Sequence, residues 1–226
     1  GSGSAAAPSD GMTSMAELGI DVVDVRVEPY AAVPTLMWSL RLREATGVRV
    51  HTIALHIQVR IEPQRRHYDD LERGRLLDMF GEPPQWGESL RPFLWTHVDT
   101  MISGFNDETT VDVPMACTYD FEVTGAKYLH SLDGGEVPLV FLFSGTVFTK
   151  GGAGFAAELV PWHLESQYRL PVARWRETMD RYFPGGGWLR LDRSTIDRLQ
   201  RYRTEQALPT WEQAVDALLK SAGEDT

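Results

Sequence analysis

Apolar residues return at every second position through most of residues 23–170, and this period of two constrains the fold more than any other feature. Such alternation sorts side chains onto the two faces of an extended strand, whereas a helix buries every third or fourth residue. The longest run spans 111–123, where Val111, Val113, Met115, Cys117, Tyr119, Phe121 and Val123 alternate with mainly polar residues. Pro114 interrupts the polar register and has no N–H to donate, which predicts an edge strand or a bulge.

Earlier segments read the same way. "VVDVRVE" sets Val23, Val25 and Val27 against Asp24, Arg26 and Glu28, and "PTLMWSLRLR" aligns Leu36, Trp38, Leu40 and Leu42. The turn "EATG" leads into a long strand over 48–62 with Ile53, Leu55, Ile57, Val59 and Ile61 inward. Val48 and Val50 fall in the opposite register, which predicts a bulge near His51. The most hydrophobic stretch is "VPLVFLFSGTVF", residues 137–148, broken by Ser144, Gly145 and Thr146. It is too short for a helical membrane span, which needs about 20 apolar residues. Its apolar residues occupy both registers, as in a strand buried on both faces. "KGGAG" then predicts a hairpin loop into a partner strand over 155–170, with Val160, Trp162, Leu164, Tyr168 and Leu170 inward.

Helical spacing appears at 69–80, where Leu71, Leu76, Met79 and Phe80 share a face, and again after Pro171. Val172, Trp175, Met179 and Tyr182 line one helix, 193–206 makes a second, and the Thr210/Gln213 capping box opens a third. The expected fold is α+β: an antiparallel β-sandwich or strongly curled sheet of about seven strands over 17–170, with one inserted helix near 69–80. A C-terminal group of three helices over 171–226 is expected to pack on it, and 1–16 reads as a flexible linker.

The formal charge of −10 argues against nucleic acid or an anionic membrane surface as the main partner. Arginine is nonetheless concentrated. Nine of the 19 arginines lie in 169–203 against Glu177, Asp180, Asp192 and Asp197. Arg174, Arg181, Arg198 and Arg201 are therefore candidates for docking an acidic protein or an anionic ligand. Trp86, in a proline-rich loop, is the candidate interface anchor. The single cysteine, Cys117, cannot close an internal disulfide and excludes every Cys-x-x-Cys metal motif, so no cofactor and a cytoplasmic setting are expected. No basic segment followed by an apolar one marks a secretion signal.

Catalytic motifs are absent from the sequence, so no catalytic or metal residue is assigned. An alternative to protein binding is a small-molecule or lipid slot beside Ser144, Gly145 and Thr146. A third reading joins His56, Glu62, His163 and Glu165 into a metal-assisted site, and it requires their strands to be neighbours.

"VPLVFLFSGTVF", "YRLPVARWRETMDRYFPGGGWLRL" and "LPTWEQAVDALL" together resemble an actinobacterial domain family associated with gene clusters for high-affinity uptake nickel–iron hydrogenases. The resemblance covers nearly all of the chain after residue 18. It implies a non-enzymatic accessory or assembly role in the cytoplasm, with hydrogenase subunits as partners; a homo-oligomer is compatible with it. It carries over no site residue.

Overall fold

The alternating segments pair into two antiparallel sheets. The structure, a computed structural model, describes residues 17–118, 123–151, 154–186 and 189–223. The first sheet joins β1 (Leu18–Val27), β2 (Thr35–Glu44) and β5 (Glu108–Ala116) in the order β1-β2-β5. The second places β3 (Val50–Ile61) between β4 (Phe93–Phe105) and β6 (Glu136–Gly151). On its other side β6 pairs with both β7 (Gly154–Leu159) and β8 (Glu165–Pro171).

The inner faces meet in one core. Leu36, Trp38, Leu40 and Leu42 of β2 are buried, as are Ile53 to Ile61 of β3 in the expected alternation. Trp38 packs edge-on against Phe141 of β6 and Tyr168 of β8, with ring centroids 4.9 and 5.4 Å apart. The Val22 N–H donates to Ser166 Oγ at 2.9 Å and ties β1 to β8 at the seam between the sheets. The fold is thus α+β and sandwich-like, with eight strands among the described residues. Pro114 is exposed on β5, which is an edge strand, and β3 has a register shift between Val50 and Thr52, at His51.

Three expectations fail locally. A bulge between Val22 and Asp24 shifts the register of β1, so Val22 is buried and Val23 is exposed. Residues 155–170 are not one strand, because the chain turns at Pro161–Leu164 between β7 and β8. That turn leaves Trp162 at 92 % exposure instead of inward. Around residue 76 the predicted helix divides into α1 (Asp70–Arg75) and α2 (Leu77–Phe80), which turns Leu71 to solvent. Tyr119 and Phe121 lie outside the described residues.

The insert between β3 and β4 closes one end of the core. Leu76 and Phe80 are buried there with Trp86 of α3 (Trp86–Ser89) and Tyr128 of α4 (Thr124–His130). Tyr68 Oη lies 2.6 Å from Tyr128 Oη and 2.8 Å from the Pro63 carbonyl it donates to. α5 (Val172–Tyr182) buries Val172, Trp175 and Met179, and Tyr182 Oη donates to the Ala31 carbonyl at 2.6 Å.

By contacts the chain divides into compact units 1–187 and 188–226. α5 thus belongs with the sheets, while α6 (Arg193–Glu205) and α7 (Trp211–Ser221) form the second unit. The Thr210/Gln213 capping box is present at the start of α7. Among the described residues no helix is long and apolar enough to cross a membrane.

Candidate functional site

On β3 the residues between the buried ones face away from the core: Ala54, His56, Gln58 and Arg60. The ladders extend this surface sideways. Ala54 stands opposite Met101 of β4 and Thr146 of β6, and Thr146 stands opposite Leu159 of β7. The next row is Asp99, His56 and Ser144. A groove of about 420 Å³ runs along these rows and is lined by Ala54, His56, Asp99, Met101, Gly145 and Thr146, among others.

The polar end of the groove is a fixed pair. The His56 Nδ1–H donates to Asp99 Oδ1 at 2.6 Å, and the His56 ring stacks on His97 at 5.0 Å and 23°. Both ring contacts belong to β4, on the side away from Ser144. With His56 half-exposed and Asp99 largely exposed, such a pair contributes at most roughly 0.2–1 kcal/mol across a sheet.

Gly145, expected with Ser144 and Thr146 to leave room for a ligand, has the backbone of β3 close beside it: a Cβ there would lie 2.0 Å from the Ala54 carbonyl oxygen. Gly145 and Thr146 line the groove on the outward face.

The predicted partner-binding residues divide between the two units. Arg174 and Arg181 are exposed on α5, where Arg174 Nη1 is 3.0 Å from Glu177 Oε2. Arg198 and Arg201 are exposed on α6. Trp86 is a correction. It is only 8 % exposed, stacks edge-on against Tyr68, and donates Nε1–H to the Gly81 carbonyl at 2.8 Å. The proline-rich loop folds back over the core, so its tryptophan anchors the loop to the chain itself.

The four residues of the metal-assisted reading do not converge. β3 and β8 lie in one sheet, but β6 separates them, and Glu62 Oε2 is 2.7 Å from Arg65 Nε. Among the described residues no group of three or more His, Cys, Asp or Glu is arranged to hold a metal. Cys117 is buried, and burial pushes its thiol up to about 12, far from the range of a nucleophile.

A second depression, about 630 Å³, escaped the sequence reading. It is lined by Arg75, Asp78, Lys127, His130, Asp133 and Arg176, with Ser131 beside them. Arg75 and Lys127 stand in the last turns of α1 and α4, where cations complement helix carbonyls. That placement was visible in the sequence; the convergence with Arg176 of α5 was not.

The family model for DUF6084, described as a family of unknown function, matches residues 15–226, and the chain belongs to that family. No curated protein sequence matches the chain. Among solved structures, a CARDB domain from Pyrococcus furiosus in complex with di-metal ions is 9 % identical, covering 69 % of this chain and 92 % of that one, with a TM-score of 0.27. A putative ApaA protein from Bordetella pertussis is 13 % identical, with coverage of 69 % and 93 % and a TM-score of 0.25. A β-glucosidase from Kluyveromyces marxianus is 7 % identical over 68 % of this chain and only 15 % of its own, with a TM-score of 0.26. At such scores these likenesses carry no argument about function.

Proposed function

We propose that this protein is a non-enzymatic cytoplasmic accessory protein that works by binding another protein through the outward face of its five-stranded sheet. The observation that carries the reading is the apolar content of that surface. Met101, Phe155 and Leu159 are 64, 66 and 81 % exposed, and Trp162, in the turn after β7, is almost fully so. Met101 and Leu159 end one row that passes through Ala54 and Thr146, so the patch is continuous across four strands. Contiguous exposed apolar surface of this kind is a mark of interaction sites, and aromatic residues are enriched at their energetic centres.

The partner proposed is a subunit of a nickel–iron hydrogenase, in line with the three framework segments quoted above. The test is a binding titration of the purified subunits against the wild type, Leu159→Glu and Trp162→Ala. At least a tenfold loss of affinity in both variants, with an unchanged melting temperature, is expected. Equal binding by all three proteins would remove the sheet face from the proposal. No binding by the wild type would remove the hydrogenase.

The groove beside Thr146 supports a second reading, a small-molecule or lipid-binding sandwich. Native mass spectrometry of the freshly purified protein should then show a bound molecule that Thr146→Trp eliminates.

A further inference from the structure

The depression between α1, α2, α4 and α5 is built from residues that play no part in the sheet-face reading. Three permanent cations, Arg75, Lys127 and Arg176, reach it from three helices, against the two carboxylates Asp78 and Asp133. Asp133 is the informative one. Its Oδ1 lies 2.6 Å from Arg75 Nη1 and 3.7 Å from Arg176 Nη2. A seat for an oxyanion between two guanidiniums therefore exists already, and one of the chain's own carboxylates is tethered in it.

The surroundings hold the seat in shape. The Asp133 N–H donates to Glu72 Oε1 at 2.9 Å, and Glu72 is in turn paired with Arg66 in a nearly buried ion pair. Arg176 also donates to the Leu132 carbonyl, and Lys127 pairs with Asp78. Each guanidinium carries five N–H donors in a planar fork, more than one carboxylate can accept, so donors remain for a second oxyanion. The cavity is larger than one inorganic anion and lies within the range of small-molecule sites, roughly 300–1,000 Å³. Its electrostatic sign is read by His130 in the wall. Burial holds that imidazole below its ordinary titration range, and Arg176 and Arg75 lower it further.

We infer that this depression binds a phosphoryl group, carried by free phosphate or by a small phosphate monoester, with Arg75, Lys127 and Arg176 as its donors. A dianion is the ligand class the seat selects. A competitor must displace or share the site with Asp133, and a second negative charge gives it the advantage that another lone carboxylate lacks. Asp133 then acts as an internal competitor that keeps affinity modest.

The test follows the His130 imidazole resonances by NMR while the full-length protein is titrated with inorganic phosphate, and separately with glycerol 3-phosphate, at constant ionic strength. Saturable shifts are expected, with affinity reduced about tenfold or more in Arg75→Gln and in Lys127→Gln, since each loses a charge-assisted contact. Arg49→Gln, exposed just before β3 and at the opposite end of that strand from the insert that carries Arg75, removes the same charge and should bind as the wild type does. Asp133→Asn should bind phosphate more tightly, by up to about fivefold, the effect of freeing a half-exposed partner. A structural role for Asp133 would not produce that gain. Tighter binding of the ester than of phosphate would assign the ligand as a monoester; equal binding would assign free phosphate. The inference is overturned by shifts no larger than chloride produces, by equal losses in Arg49→Gln, or by weaker binding in Asp133→Asn.

Discussion

Replacing Gly145 with alanine should be among the most destabilising single-methyl additions this chain can undergo. Two separate penalties meet there. Gly145 has φ +136°, a backbone conformation that L side chains rarely adopt, and holding one there costs about 1–3 kcal/mol. The added Cβ would also sit 2.0 Å from the Ala54 carbonyl oxygen, which is backbone and cannot rotate away. Forcing extra volume into a packed interior costs a further 1–3 kcal/mol or so. The sum, about 2–6 kcal/mol, is a large share of the 5–15 kcal/mol that usually holds a domain together. For a chain of this size it lowers the melting temperature by roughly 4–24 °C. Two neighbouring glycines separate the penalties. Gly154 has φ +122° with nothing within 4 Å of its would-be Cβ, so Gly154→Ala isolates the conformational penalty. Gly104 has no such φ, but its Cβ would lie 2.5 Å from the His51 carbonyl oxygen, so Gly104→Ala isolates the overlap. Urea unfolding followed by tryptophan fluorescence, with the slope held constant, ranks the three. Gly145→Ala must be the worst. A loss no greater than that of Gly154→Ala would refute the claim that β3 and β6 approach too closely for a methyl group.

Other outcomes follow from single contacts. Glu72→Gln leaves Arg66 buried without its charge partner and should cost about 3–5 kcal/mol in the same unfolding assay, far more than an exposed pair would. Cys117 should resist iodoacetamide at pH 8 in the folded protein and react fully in urea, as mass spectrometry would show. The Asp112 carboxylate is held down to about 2 by hydrogen bonds from Arg26 and Ser39. Its contribution is therefore complete above about pH 4 and is lost as pH falls through 2. Being half exposed, it amounts to less than about 1 kcal/mol. The stability gap between wild type and Asp112→Asn should accordingly shrink from pH 4 downward and close as pH falls through 2; a gap that persists undiminished at pH 1 would remove the carboxylate from the explanation.

Much of the architecture could be read along the chain because pleating is local. Alternation alone placed the inward rows of β2 and β3, and Pro114 pointed to an edge strand or a bulge, because a missing N–H has meaning only in a ladder; β5 is an edge. What escaped depends on contacts distant in sequence. The β1 bulge exchanges Val22 for Val23 only because β2 sets the register, and no residue type at that point signals it. The split of 155–170 rests on Pro161 opening a turn where the apolar period continues unbroken. Trp86 looked like a surface residue because its neighbours are prolines and glycines, yet Tyr68 and Phe80 enclose it. Of the candidate sites, Gly145 and Thr146 could be named from the sequence and line the groove on the outward face of β6. The cationic depression draws on positions 75, 127 and 176, which only the folded chain brings together.

The central position of β6 has a consequence for how the chain is made. β3 and β4 can pair as soon as both have left the ribosome, but the other edge of β3 must wait for β6, whose first residue, Glu136, follows Phe105, the last of β4, by 31 positions. At ordinary rates of synthesis, about 5–20 residues per second, that is a delay of roughly 2–6 s. Throughout it, a two-stranded ribbon presents the row from Ile53 to Ile61 to water along with an unpaired edge. The sequence that makes this core also makes the nascent chain, for those seconds, a substrate for chaperones.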